Sequence, residues 1–101
     1  MNSKPYKFKA KVWLYPGEAG WHFVNVPKNL SKQIDKSFAH LKRGFGSLPV
    51  VAQIGKTFWK TSIFPDTKSG TYLLALKVAV RKAEHIKLHD RLAIVLQIRE
   101  L

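Results

Sequence analysis

The sequence predicts a mainly β fold, a small barrel or sandwich of about six strands capped by two α-helices. Short segments in which apolar and polar residues alternate recur along the chain, as expected of half-buried strands. Clusters of turn-forming residues separate these segments, and only two segments have the apolar spacing of a helix. The chain has 101 residues, and we expect residues 1–101 to form a single domain with one core.

The first strand is predicted over residues 6–15, where apolar and polar side chains alternate with a period of two. Residues 16–20 are rich in glycine and proline, which favours a turn. Residues 21–26 are therefore expected to pair with the first strand as a hairpin. The predicted inward positions are Tyr6, Phe8, Ala10, Val12 and Leu14, and the predicted outward positions are Lys7, Lys9, Lys11 and Trp13.

An amphipathic helix is predicted over residues 31–42. Its apolar side chains recur at spacings of four, four and three, so they form one stripe, and we expect the helix to lie across a sheet or the barrel mouth as a lid. Ser31 is the predicted N-cap, and Gly44 fits a C-terminal cap. The stripe consists of Leu30, Ile34, Phe38 and Leu41.

The second half of the chain supplies the remaining strands and a short helix. Gly55 and Lys56 are predicted to be the central residues of a hairpin turn, and glycine at the first of these positions is typical of type II′. No proline falls within a strand on this assignment. The predicted strands are 50–54, 57–64, 71–76 and 91–98, and the predicted helix is 77–85.

The net charge is the most unusual property of the sequence. Eighteen Lys and Arg residues against six Asp and Glu residues give a formal net charge of +12. A protein with such a field attracts polyanions, above all nucleic acid. Fourteen of the cations are lysine, which is a flexible point charge, whereas arginine is the usual reader of bases. The balance therefore favours attraction to a phosphate backbone, or solubility, over sequence-specific recognition.

Two groups of cations are the candidate nucleic-acid-binding residues. Arg81, Lys82 and Arg91 lie near the predicted short helix and last strand, where they would contact phosphates. The lysines of the first strand would add long-range attraction, and Trp13 on their face would allow stacking with an unpaired base. These lysines are Lys7, Lys9 and Lys11.

Two alternatives remain open. A pocket between the barrel and its helix, lined by Trp21, Trp59 and Tyr72, would make the protein a small-ligand-binding or accessory domain. The positive surface would equally suit an interaction module for an acidic protein.

Enzymatic activity is not expected, because the six acidic residues are scattered and no serine lies in a nucleophile pattern. We expect no cofactor, and no metal site, since a predicted turn separates His85 from His89 and the chain lacks cysteine. The absence of cysteine suits a reducing compartment, and no signal peptide or membrane span is visible. The sequence predicts a cytoplasmic protein without a membrane partner and leaves the oligomeric state open.

Several motifs together resemble the DUF1905 family, whose members are domains of unknown function. The resemblance covers nearly the whole chain and implies a double-split β-barrel capped by helices. The matching residues are Trp21-His22-Phe23-Val24-Asn25-Val26-Pro27, Gly44-Phe45-Gly46-Ser47-Leu48-Pro49-Val50, Ile54-Gly55, Trp59-Lys60-Thr61-Ser62-Ile63-Phe64-Pro65, Gly70-Thr71-Tyr72-Leu73-Leu74 and Val80-Arg81-Lys82-Ala83.

The double-split barrel implies a second, more distant resemblance, to AbrB-like transcription regulators. Residues 80–92 are similar to their segment of a short helix with a basic pair, a Gly-Asp turn and a last strand. His89 stands where the glycine is usual, and histidine tolerates a left-handed backbone better than most residues. AbrB-like proteins bind DNA, which the resemblance suggests as a function, although fold similarity alone does not establish one.

Overall fold

The computed structural model describes residues 4–17 and 19–100, so Glu18 of the predicted 16–20 turn lies outside the described residues. The described residues form seven β-strands and two α-helices, joined in places by single turns of 3-10 helix. The strands are β1 (Tyr6–Lys11), β2 (Trp13–Leu14), β3 (His22–Asn25), β4 (Leu48–Ile54), β5 (Thr57–Asp66), β6 (Thr71–Ala75) and β7 (Arg91–Ile98). The helices are α1 (Lys28–Phe38) and α2 (Val78–Ala83), and the 3-10 turns are Ala39–Leu41 and Gly44–Gly46.

The strands make one antiparallel sheet in the order β1-β7-β4-β5-β6-β3-β2, which curls into a nearly closed barrel. The sheet curls because its two edge strands are consecutive in the chain and only Val12 separates them. Val12 is fully buried. Its N–H donates to the carbonyl of Asp90 at 2.9 Å, and its carbonyl accepts the N–H of His89 at 3.0 Å.

The mainly β class is therefore confirmed, with seven strands among the described residues in place of about six. The additional strand arises because the segment predicted as one strand over residues 6–15 divides at Val12. Its second part, β2, pairs with β3 through Trp13 and Leu14, which is the expected hairpin. Its first part, β1, pairs with β7 at the other edge of the sheet.

The barrel interior is filled by aliphatic side chains from alternate positions of the strands. Helix α1 adds Ile34 and Phe38, both buried, and so covers the interior as expected. The fully buried strand residues include Val24, Leu48, Val50, Ile63, Leu74, Leu96 and Ile98. Burial of so many apolar side chains in a small domain is the main source of its stability.

The limits of α1 differ from those predicted. The helix begins at Lys28, directly after Pro27, and only a 3-10 turn continues it to Leu41. Ser31 is therefore not the N-cap but lies in the first turn and is buried. Gly44 is not a helix cap either, because it opens the second 3-10 turn.

Ser31 instead completes the ladder between β3 and β6. The next pair in this register is Val26 with Tyr72, and the N–H of Val26 donates to the carbonyl of Tyr72 at 2.9 Å. The return bond is replaced by the Ser31 hydroxyl, which accepts the N–H of Tyr72 at 3.0 Å and donates to the carbonyl of Val26 at 3.1 Å. One side chain thus fastens α1 to the sheet and satisfies two buried backbone groups.

Two prolines lie inside strands, which the sequence assignment did not expect. Pro49 in β4 precedes the stretch that pairs with β7, and Pro65 in β5 follows the stretch that pairs with β4. Each proline lies at or beyond the end of one of its two strand pairings, and the carbonyl of Pro49 still accepts the N–H of Arg99 at 2.9 Å. The missing N–H therefore costs at most the last bond of a ladder.

The two turn predictions agree with the backbone geometry. Gly55 has a φ of 57°, and Lys56 is not among the residues with positive φ, as a type II′ turn requires. His89 has a φ of 75°, so histidine does adopt the left-handed conformation here.

We expect Ser31→Ala to lower the free energy of unfolding by about 1–3 kcal/mol, because it leaves the buried N–H of Tyr72 without its partner. The matched control is Ser37→Ala, which makes the same change at an exposed position of α1 and should alter stability by less than about 0.5 kcal/mol. Urea denaturation followed by circular dichroism measures both. Equal effects of the two substitutions would show that the hydroxyl does not bridge helix and sheet.

Candidate nucleic-acid interface

The three lysines of β1 point away from the barrel. Tyr6 and Ala10 are buried on the inner side of this strand, and alternate residues of a strand face opposite sides. Lys7, Lys9 and Lys11 are accordingly exposed on the outer side. The predicted alternation of this strand is confirmed over β1.

The pairing of β1 with β7 adds an arginine to these lysines. Lys11 lies directly opposite Arg91, and residues directly opposite each other in two strands project from the same face. Lys9 and Lys7 lie opposite Ala93 and Val95, small apolar residues that leave the ammonium groups uncovered. We refer to Lys7, Lys9, Lys11 and Arg91 as the basic face.

The basic face has no acidic residue in its own strands. Neither β1, β7 nor β4, the strand on the other side of β7, contains Asp or Glu. A like-charged pair directly across two strands, as Lys11 and Arg91 form, is destabilising. The arrangement therefore costs stability and leaves a positive potential outside the barrel, which attracts anions.

Beyond Val12 the same chain segment leads from the basic face to a group of aromatic rings. Lys9, Lys11 and Trp13 line one open hollow of about 450 Å³. Trp13 packs on Phe23 across the β2–β3 pair, with ring centroids 5.4 Å apart. Its indole N–H donates to the Oδ1 atom of Asn25 at 2.6 Å, which fixes the orientation of the ring.

Three further ring contacts extend this group. Tyr15 lies edge-on to Phe23 at 6.0 Å and tilted against Trp13 at 6.4 Å. Trp21 stacks on Phe23 with a centroid separation of 6.0 Å and an interplanar angle of 9°. We refer to Trp13, Tyr15, Trp21 and Phe23 as the aromatic cluster. Tyr15 and Trp21 remain 52% and 54% exposed, so the cluster presents ring surface to solvent.

The sequence assigned Trp21 only to a candidate pocket and gave Phe23 no functional role. The aromatic cluster was missed because aromatic residues are usually core residues in small domains. The signal that identifies it is the alternation of aromatic residues on both strands of the predicted hairpin, which brings their rings together on one face. These positions are Trp13 and Tyr15 on one strand and Trp21 and Phe23 on the other.

Arg81 lies away from the basic face. Its Nε atom donates to the carbonyl of Leu76 at 3.0 Å, and its side chain borders a groove of about 360 Å³. The groove lies where β5 and β6 separate, because β6 pairs only with Ile63–Asp66 of β5. Lys82, its neighbour, is exposed in the last turn of α2. Of the six candidate cations, the structure thus brings together the four of the basic face.

The alternative pocket residues do not share one cavity. Trp21 and Trp59 both border the groove of Arg81, but Tyr72 borders a different groove of about 260 Å³. There the hydroxyl of Tyr72 donates to Asp35 at 2.9 Å, and Asp35 also forms an ion pair with Lys42. Burial and the bond to Asp35 raise the pKa of the Tyr72 hydroxyl above its ordinary value. Hydrogen bonds from Lys42 and Tyr72 lower the pKa of Asp35.

The described residues contain neither a membrane-spanning helix nor a cluster of metal ligands. No helix within residues 4–17 and 19–100 has the length and apolar character needed to span a bilayer. Over the same ranges, no three His, Cys, Asp or Glu side chains cluster as potential metal ligands.

Comparison with known proteins identifies the family. The family model for the domain of unknown function DUF1905 matches residues 8–96. Because this match covers most of the 101 residues, the chain belongs to the DUF1905 family, as its motifs indicate. No curated protein matches the chain at a significant level. The more distant resemblance of residues 80–92 to AbrB-like regulators stays a prediction.

We expect iodide to quench the fluorescence of Trp21 far more than that of Trp59, because Trp21 is 54% exposed beside cations and Trp59 is 8% exposed. Trp21→Phe should therefore remove a large part of the iodide-quenchable emission, and the partly exposed Trp13 beside Lys9 and Lys11 accounts for the rest. Trp59→Phe serves as the control and should leave that emission in place. Steady-state iodide titrations at constant ionic strength measure both, and equal losses would contradict the exposed position of Trp21.

Proposed function

We propose that this DUF1905 domain is a non-catalytic binding domain that holds nucleic acid against its basic face. The observation that carries the proposal is the register of β1 with β7, which gathers Lys7, Lys9, Lys11 and Arg91 on one outward side. The proposal includes the cytoplasmic location predicted from the sequence.

The spacing and the chemistry of the basic face suit a phosphate backbone. Successive outward residues of a strand are about 6.6 Å apart, so the lysines follow one another in a line and do not form a compact pocket. Each ammonium group that neutralises a phosphate releases a condensed counterion, and this release drives association at low salt. A linear polyanion matches such a line better than a single small anion does.

Recognition of this kind is independent of sequence. Three of the four cations on the basic face are lysines, which act as point charges and lack the planar fork with which arginine reads guanine. Phosphate contacts position a nucleic acid without identifying its bases. We therefore expect similar affinities for different sequences of one length and strandedness.

The lysines of β1 provide the test. The triple substitution Lys7→Gln, Lys9→Gln and Lys11→Gln should weaken binding to an oligonucleotide at least about tenfold near 50 mM salt. It should also reduce the slope of log affinity against log salt by about 2 to 3, because each lost phosphate contact removes about 0.7 to 0.9. Fluorescence anisotropy at several salt concentrations measures both quantities.

The matched control removes the same charge from α1. Lys28, Lys32 and Lys36 are exposed on this helix, and their triple replacement by glutamine lowers the net charge equally. If both triples weaken binding equally, net charge and not the basic face is responsible.

Polyglutamate of similar charge is the competitor, and if it displaces the oligonucleotide as efficiently as unlabelled DNA does, an acidic protein becomes the better partner.

A further inference from the structure

The aromatic cluster lies between two sets of cations. On one side the hollow of Trp13 is shared with Lys9 and Lys11 of the basic face. On the other side Trp21 borders the groove that also contains Lys60, Lys77 and Arg81. No Asp or Glu is present among the described residues that line either depression. Exposed rings and flanking positive charge thus occur together on one continuous surface.

Part of the aromatic cluster forms one contiguous apolar depression. Tyr15, Trp21, Phe23 and Phe64 line an open, almost wholly apolar depression of about 290 Å³. Contiguous exposed apolar surface bordered by polar residues marks binding sites more often than isolated exposed side chains do. The occupant must offer flat apolar groups to the rings and negative charge to the cations.

We propose that the occupant is single-stranded nucleic acid, with unpaired bases stacking on Tyr15 and Trp21. This inference rests on the proposed function and specifies which nucleic acid the domain takes. The phosphates lie along Lys7, Lys9 and Lys11, the bases cover the aromatic cluster, and the strand continues toward Lys60, Lys77 and Arg81. Arg81 then contributes to binding from the far side of the rings.

A duplex fits this surface less well than a single strand. Base pairs in a duplex are stacked on one another, so their faces are not available to a ring on the protein. Unpaired bases offer both faces, and every base has one, which makes stacking tolerant of sequence. The charge of the basic face acts on both forms, whereas the aromatic cluster acts only on the single strand.

The path has room for several nucleotides. From Lys7 to Tyr15 the extended chain covers up to about 26 Å at 3.3 Å per residue. This approaches the longest dimension of the domain, 34 Å. Single-strand-binding domains of small size hold about 4–16 nucleotides in this way.

The experiment compares three fluorescein-labelled probes by anisotropy at low salt. They are oligothymidylate and oligouridylate of about 12 nucleotides and a DNA duplex of equal length. We expect either single strand to bind more tightly than the duplex, and the tighter of the two identifies DNA or RNA as the ligand. Tyr15→Ala and Trp21→Ala should each weaken single-strand binding about tenfold and duplex binding less than about twofold.

Phe45→Ala is the matched control, because Phe45 is a 95% exposed aromatic residue outside the cluster. It should leave every affinity unchanged.

Trp21→Phe gives a second measurement that does not depend on loss of the ring. The single strand should quench the wild-type tryptophan emission on binding, and Trp21→Phe should reduce this quenching, with Trp13 of the aromatic cluster accounting for the remainder.

The outcomes separate the two proposals. Equal affinity for single strands and duplex, with no effect of Tyr15→Ala or Trp21→Ala, overturns the stacking inference and leaves the basic face as the binding surface. An unchanged fluorescence response in Trp21→Phe also overturns it. Failure of all three probes to bind at low salt overturns the proposed function itself, and the stacking inference with it.

Discussion

Burial of Val12 between the two edges of the sheet is the constraint on which the rest of the structure depends. A single strand passes from one edge to the other at this residue, and its backbone bonds to residues 89 and 90 hold the crossing in place. An exposed sheet edge is prone to pairing with other chains, and curling the sheet so that its edges meet removes most of that exposure. The crossing also joins the basic face to the aromatic cluster, so closure of the barrel and assembly of the proposed binding surface have one cause.

Closure of the barrel also explains why the cations of the basic face are exposed. Buried, mostly aliphatic side chains occupy the interior, and the lysines of β1 lie on the opposite side of their strand. Lys11 and Arg91 destabilise the fold by facing one another. Binding surfaces often carry a cost in stability of this kind.

The fold was largely predictable because a period of two identifies which side chains of a strand face the core. It does not identify the neighbouring strand, so the assignment found the strand over residues 6–15 but not its change of partner at Val12. Ser31 resembled an N-cap because its true partner, the N–H of Tyr72, is distant in sequence. For the site, Lys7, Lys9 and Lys11 were recognised from alternation alone, whereas their association with Arg91 required the register of β7. The exposure of Trp21 depends on where the sheet ends, which no local pattern encodes.

The hydroxyl of Ser31 has a consequence for how the domain moves. Ser31 belongs to the first turn of α1, and its hydroxyl completes the last hydrogen-bonded pair between β3 and β6, so separating the helix from the sheet breaks both hydroxyl bonds. Helix and sheet at this corner therefore form one cooperative unit, and the amide proton of Tyr72 exchanges with solvent only when both separate. A helix fastened in this way does not act as a gate, so access to the outer side of the barrel does not depend on its movement.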